Sequence, residues 1–174
     1  MPEWLPEKAL VSPWTLNTYE VLYEIFCRDI RDYALRYKGN DVWIFRDMED
    51  GKETVFWHLT TRETKPARVP RRKRRFYSAV QLREERERLP DLRRCERLPW
   101  VRPLIEHPSD PEVLAWDYEE GDRTIKTYVW IKDYCFVAIM KRYADQKRRL
   151  ITSFYVDTKF KRDDFERKYS DRIK

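Results

Sequence analysis

The sequence predicts an α+β fold: N-terminal helices with a hairpin, then a four-stranded antiparallel sheet and a short C-terminal helix. Two patterns lead there. Early in the chain apolar side chains recur at three- and four-residue steps, the period of a helix with one buried face. From Val113 the period becomes two and stays two, as in strands of a sheet. Composition adds a third observation. Of 174 residues, 41% are hydrophobic and 15% aromatic, enough to bury a core although 39% are charged and mean hydropathy is −0.87.

Taken in order, Pro2, Pro6 and Pro13 around Trp4 and Trp14 read as an extended arm whose indoles pack on the body of the protein. Asn17 followed by Glu20 has capping-box spacing and opens a helix. Its stripe of Tyr19, Leu22, Tyr23, Phe26, Ile30, Tyr33 and Tyr37 runs to about Arg36, with Gly39 as the stop. Val42–Phe45 and Thr54–Leu59 read as the strands of a hairpin around Asp50-Gly51. A basic stretch follows, fenced by Pro66 and Pro70. Ser78 with Gln81 opens a charged helix over Ala79–Leu89, which Pro90 interrupts. Shorter helices start at Asp91 and at Pro99. The four meander strands are Val113–Tyr118, Thr124–Ile131, Tyr134–Lys141 and Arg149–Val156, and a helix over Lys161–Tyr169 closes the chain. Tyr134–Met140 is apolar on both faces and is expected in the middle of the sheet. The organisation is 1–62, an arm, helix and hairpin; 63–90, the basic segment and charged helix; and 91–174, an α+β core, all within one compact domain.

Charge is placed unevenly. Between Arg62 and Arg102 there are fifteen Lys or Arg against six Asp or Glu, while the rest of the chain has twenty-two against twenty-five, so the net +6 comes from this stretch. Arg68 and the run Arg71, Arg72, Lys73, Arg74 and Arg75 concentrate a field that suits a polyanion, because each neutralised phosphate releases a counterion. Nucleic acid is the expected partner. An acidic protein and a solvated loop with no partner are the alternatives.

Several chemistries are excluded. With three Gly the chain has no P-loop or dinucleotide fingerprint, and no cofactor is expected. No His, Cys, Asp or Glu cluster has metal-ligand spacing, so no metal site is expected either. Cys27, Cys95 and Cys135 lack a CxxC pair and read as buried free thiols of a cytoplasmic protein. No signal peptide or apolar run of membrane-spanning length is present, so no membrane partner is expected. What remains is phosphodiester chemistry without a metal. Cleaving RNA through its own 2′-hydroxyl needs a base, an acid and cations around the phosphorane. His58 and His107 are the two histidines, and one or both are the expected proton carriers. His58 is read near a strand end with Thr60 and Arg62 on its face; His107 lies where a helix gives way to a loop.

Helices followed by a four-stranded meander resemble the superfamily that groups barnase, EndoU, colicin-type RNases and RelE toxins (the BECR fold), above all its phage and mobile-element members. The residues that carry the resemblance are Arg94-Cys95-Glu96-Arg97-Leu98-Pro99-Trp100 leading into Ile105-Glu106-His107-Pro108, with Tyr128–Ile131 and Leu150–Asp157. It covers about half of the chain, Arg93 to Tyr169. The resemblance implies a RelE/barnase-like sheet and a toxin-like, metal-independent RNase. It pairs a basic or His residue before the sheet with a Thr or Ser on the last core strand. Those roles fall on His107 and on Thr152 or Ser153, with Arg97 or Arg102 as a phosphate contact; Arg62, outside the part that the resemblance covers, is read from charge as a further phosphate contact. An acidic antitoxin or immunity protein is then a second expected partner. The competing reading is a basic nucleic-acid-binding or protein-interaction module without catalysis.

Overall fold

The computed structural model describes residues 1–63 and 88–173. The basic run Arg71–Arg75 and most of the helix expected over Ala79–Leu89 lie outside the described residues.

The first helix, α1 (Thr18–Phe26), buries Thr18, Leu22 and Phe26. Asn17 makes no side-chain cap, contrary to the capping-box expectation; the Thr18 hydroxyl instead accepts from the Thr15 N–H at 2.9 Å. The stripe does not continue to Arg36. A π turn over Cys27–Arg31 ends the helix and buries Asp29, which pairs with Arg28 at 2.6 Å and Arg102 at 3.3 Å. An extra residue per turn rotates the following stripe positions off the helix face. Tyr33 is therefore exposed, and Tyr37 lies on a strand.

That strand, β1 (Arg36–Tyr37), turns through Lys38 and Gly39 into β2 (Asn40–Trp43). Both turn residues have positive φ, 48° and 80°, so Gly39 serves a tight hairpin and not a helix end. A second short hairpin, β3 (Met48–Glu49) with β4 (Lys52–Glu53), leads into α2 (Thr54–Thr60). This corrects the strand expected over Thr54–Leu59. Val55, Phe56, Leu59 and Thr60 are the buried positions, a helical spacing that gathers them on one face against the rings of α1. An alternating strand would have split Phe56 from Val55 and Leu59. Packing outweighs the β-propensity of Val, Phe and Trp here.

After α2 come β5 (Thr61–Glu63) and its antiparallel partner β6 (Arg88–Pro90), then α3 (Leu92–Glu96), a 3₁₀ turn at Leu98–Trp100, and α4 (Val101–Glu106). Asp91 caps α3 by accepting from the Arg93 and Arg94 N–H groups. The meander follows as β7 (Val113–Glu119), β8 (Ile125–Ile131), β9 (Phe136–Arg142) and β10 (Arg148–Tyr155), and α5 (Lys159–Ser170) closes the chain. The strands lie close to the expected positions; β9 begins two residues late because Lys132–Cys135 forms the turn, with Cys135 at φ 52°.

The main sheet has six strands, not four, in the order β1-β2-β10-β9-β8-β7. It is mixed, because β2 runs parallel to β10 through Val42 and Trp43. Phe136, Ala138 and Met140 of β9 face the N-terminal helices, and Val137 and Ile139 face the α5 side, so β9 is covered on both faces as its sequence suggests. A bulge at Ile151 shifts the register of β10. Leu150 opposes Met140 and Ser153 opposes Ala138, so those two share the helix-side face, whereas plain alternation would pair Leu150 with Thr152. Phe154, opposite Val137, packs on Phe165 of α5 and also lies under Arg94, while Tyr155, opposite Phe136, lies under Arg93 of α3. Among the described residues no helix is long and apolar enough to cross a membrane.

Candidate functional site

Four elements meet at the end of α2. Beyond the two residues that pair with β2, β10 has one strand edge facing α2 and α3. The His58 carbonyl, near the α2 C-terminus, accepts from Arg94 Nη1 at 2.8 Å and from the Thr152 hydroxyl at 3.1 Å. The Asp91 N–H donates to the Thr60 carbonyl at 2.9 Å, and the Cys95 thiol to the same oxygen at 3.1 Å. Helix-end carbonyls need such partners when buried, and α3 and β10 supply them. His58, Thr152 and Arg94 are thereby fixed around one point.

The His58 imidazole is half-buried, with Nδ1 3.4 Å from Arg88 Nη1. Burial holds its pKa below the ordinary 6.5, and the Arg88 guanidinium pushes the same way against Glu63 and Glu49. At neutral pH the ring is uncharged, and because a guanidinium only donates, Nδ1 accepts from Arg88 and the ring proton is on Nε2.

Beside it, Arg62 Nη2 lies 3.1 Å from Asp91 and 3.4 Å from Asp157, at the wall of a cavity of about 790 Å³ that Arg93 and Glu63 also line. Lys161 holds the Asp157 carboxyl below the usual carboxylate range. Arg93 then lies over the Tyr155 ring at 4.7 Å, and Arg97 over the same ring at 4.6 Å and over Trp100 at 5.2 Å. Arg97, Tyr155 and Trp100, with Lys8 and Tyr134, line a second cavity of about 670 Å³. Arg93, held on the aromatic face, keeps its outer edge for phosphate, whereas Arg97 is buried, paired with Glu96 and donating to the Arg93 carbonyl at 3.1 Å. Glu63 and Arg88 are opposite each other in the β5–β6 ladder. The chain therefore leaves for the basic run and returns from it at this one place.

The expected residues divide. His58, Thr152 and Arg62 come together, with Arg97 on the adjoining side of Tyr155. His58 is on a helix, so its expected strand-face relation to Thr60 does not hold; the Thr60 hydroxyl donates to the Phe56 carbonyl. Ser153 is 1% exposed, turned into the packed face beside Ala138. Arg102 is engaged by Asp29, Glu106 and the Tyr33 ring at 4.1 Å. His107 ends α4 stacked on Trp4, 4.7 Å between ring centroids, with Nδ1 2.8 Å from the Pro103 carbonyl. None of its partners belongs to the His58 cluster. Arg71, Arg72, Lys73, Arg74 and Arg75 lie outside the described residues. Arg88 and Asp157 were not singled out from sequence, because only the fold brings them to His58 and Arg62.

Among the described residues no group of three or more His, Cys, Asp or Glu is placed to hold a metal ion. The chain matches no protein-family model, no curated protein and no solved structure.

Proposed function

We propose that this protein is a metal-independent endoribonuclease whose site is the cluster around His58. One observation carries the reading: an imidazole kept neutral by burial, 3.4 Å from a guanidinium, where both ends of the most basic segment meet. In the proposed reaction the RNA phosphate draws Arg88 off His58 Nδ1, the freed Nδ1 lone pair takes the proton of the RNA 2′-hydroxyl, and the resulting oxygen attacks the adjacent phosphorus. Arg62, Arg88 and Arg93 stabilise the phosphorane charge. The 5′-oxygen leaves and is protonated by solvent, giving a 2′,3′-cyclic phosphate and a 5′-hydroxyl end. Tyr155, backed by Arg93 and Arg97, offers a ring on which a base can stack. Of the pair that the BECR resemblance implies, His107 with Thr152 or Ser153, Thr152 meets the cluster through the His58 carbonyl, while His107 lies apart on Trp4.

A second reading is a nucleic-acid-binding module without catalysis. It is favoured by the position of His107, which leaves one imidazole in the cluster instead of an acid–base pair.

An oligoribonucleotide and its all-2′-deoxy counterpart separate the two. The enzyme reading expects the ribo form to be cut with cyclic phosphate ends and the deoxy form to be bound but intact. Cleavage of both would contradict 2′-hydroxyl attack; cleavage of neither, with tight salt-dependent binding, would favour the binding module.

A further inference from the structure

At the opposite end of β10 from the His58 cluster, a cavity of about 250 Å³ is lined by Tyr37, Lys38, Asp117, Arg142, Arg148 and Arg172, among others. Four of these side chains are cationic and one is a carboxylate. Asp117 is already saturated. One of its oxygens accepts from the Thr127 hydroxyl, and the other accepts from Arg142 at 2.8 Å and Arg148 at 3.3 Å.

Arg148 is itself a buried charge, with 6% of its side chain exposed. Its Nε donates to the Thr127 hydroxyl at 3.2 Å, Nη1 donates to the Gln146 carbonyl, and its guanidinium lies 4.8 Å over the Tyr37 ring. Two guanidiniums thus share one carboxylate in a largely desolvated place, where an uncompensated charge is costly. The C-terminal residues close the wall: the Ile173 N–H donates to the Asp117 carbonyl at 3.0 Å, and Arg172 is held against Tyr169.

Tyr37 provides a separate indication. Its ring is buried, the residue being 2% exposed, and its hydroxyl, which makes no hydrogen bond to the described residues, is at the solvent-reached wall of the cavity. Burial pushes its pKa up to about 12, so at neutral pH it is an O–H donor. A donor that opens on the cavity beside an excess of guanidinium charge fits an anion with several acceptor oxygens.

We propose that this cavity is a binding site for a phosphate monoester, held by Arg142, Arg148 and the Tyr37 hydroxyl, with Lys38 and Arg172 at its mouth. A dianion matches the surplus charge, and paired guanidinium groups suit phosphate oxygens. The volume admits the phosphate and a small part of what it is attached to. The site does not depend on the RNase reading.

Calorimetric titration of the full chain with inorganic phosphate tests it, against chloride at matched ionic strength. Saturable binding at this site is expected, weakened about tenfold in Arg142→Gln and several-fold in Tyr37→Phe, and unchanged in His107→Gln, which lies outside both sites. Tyr37→Phe removes one oxygen from a ring that stays packed, so loss of binding there is not a loss of fold, which circular dichroism verifies. A nucleoside 5′-monophosphate and single-stranded RNA with and without a 5′-phosphate then identify the source of the phosphate. Preference for the phosphorylated RNA that is lost in Tyr37→Phe assigns an RNA end, and equal binding of the mononucleotide assigns a free metabolite. No saturable binding of inorganic phosphate, or binding that Tyr37→Phe and Arg142→Gln both leave unchanged, would overturn the proposal.

Discussion

His58→Gln is expected to lower RNA turnover by about 10²–10⁴-fold, the contribution typical of a positioned general base. RNA affinity should stay within a factor of about two, because the arginines that meet phosphate are untouched. Gln keeps the backbone carbonyl that anchors Arg94 and Thr152, and its amide can still face Arg88, so the cluster retains its frame. His107→Gln, which alters a ring stacked on Trp4, should leave turnover unchanged. The same substitution at His58 carries a signature in pH. The folded imidazole is held below 6.5, so on acidification the unfolded chain takes up its proton first. The stability that follows from keeping His58 neutral is complete above pH 6.5 and is lost as pH falls toward the folded value. Urea unfolding of wild type should therefore weaken with acidification over that window more than unfolding of His58→Gln. Parallel pH curves for the two proteins would show that His58 is not the group held neutral.

Phe56→Ala should destabilise the protein by about 3–5 kcal/mol, the range for truncating a fully buried aromatic. Phe56 is 0% exposed and meets the rings of Tyr19, Tyr23, Phe26 and Trp57 at centroid distances between 5.1 and 6.3 Å. It is the anchor of α2 on α1, so its loss leaves a cavity under the helix that carries His58. The drop in Tm should be on the order of 10 °C, and turnover should fall with it as α2 loses its seat. A cost below about 1 kcal/mol, the level of a surface change, would mean that α2 is held mainly by its carbonyl contacts to α3 and β10.

The meander was legible because its strands alternate and its turns carry Glu120-Gly121-Asp122 and Lys132-Asp133, local features that a sequence displays directly. The edge of the sheet was not. β1 and β2 pair over two residues each, and the parallel partner of Val42 and Trp43 lies about a hundred residues on, at Arg148 and Arg149. Such non-local pairing leaves no periodic trace. At α2 the residue types favoured a strand while the spacing of Val55, Phe56, Leu59 and Thr60 favoured a helix, and the spacing held. The bulge at Ile151 is equally silent in sequence, and it decides that Ser153 turns into the packed face while the Thr152 hydroxyl reaches His58. For the site, residue type pointed to His58, Thr152, Arg62 and Arg97. The separation of His107 and Arg102 from them follows from the Trp4 arm and from Asp29, contacts that join distant parts of the chain.

The most direct measurement is a time course of purified protein with RNA in excess EDTA, from about pH 5 to about pH 9, with product ends identified. The account predicts fragments ending in 2′,3′-cyclic phosphate, formed at a rate that the chelator does not reduce. RNA that is bound yet intact across that whole range would contradict it and leave a basic nucleic-acid-binding module in its place.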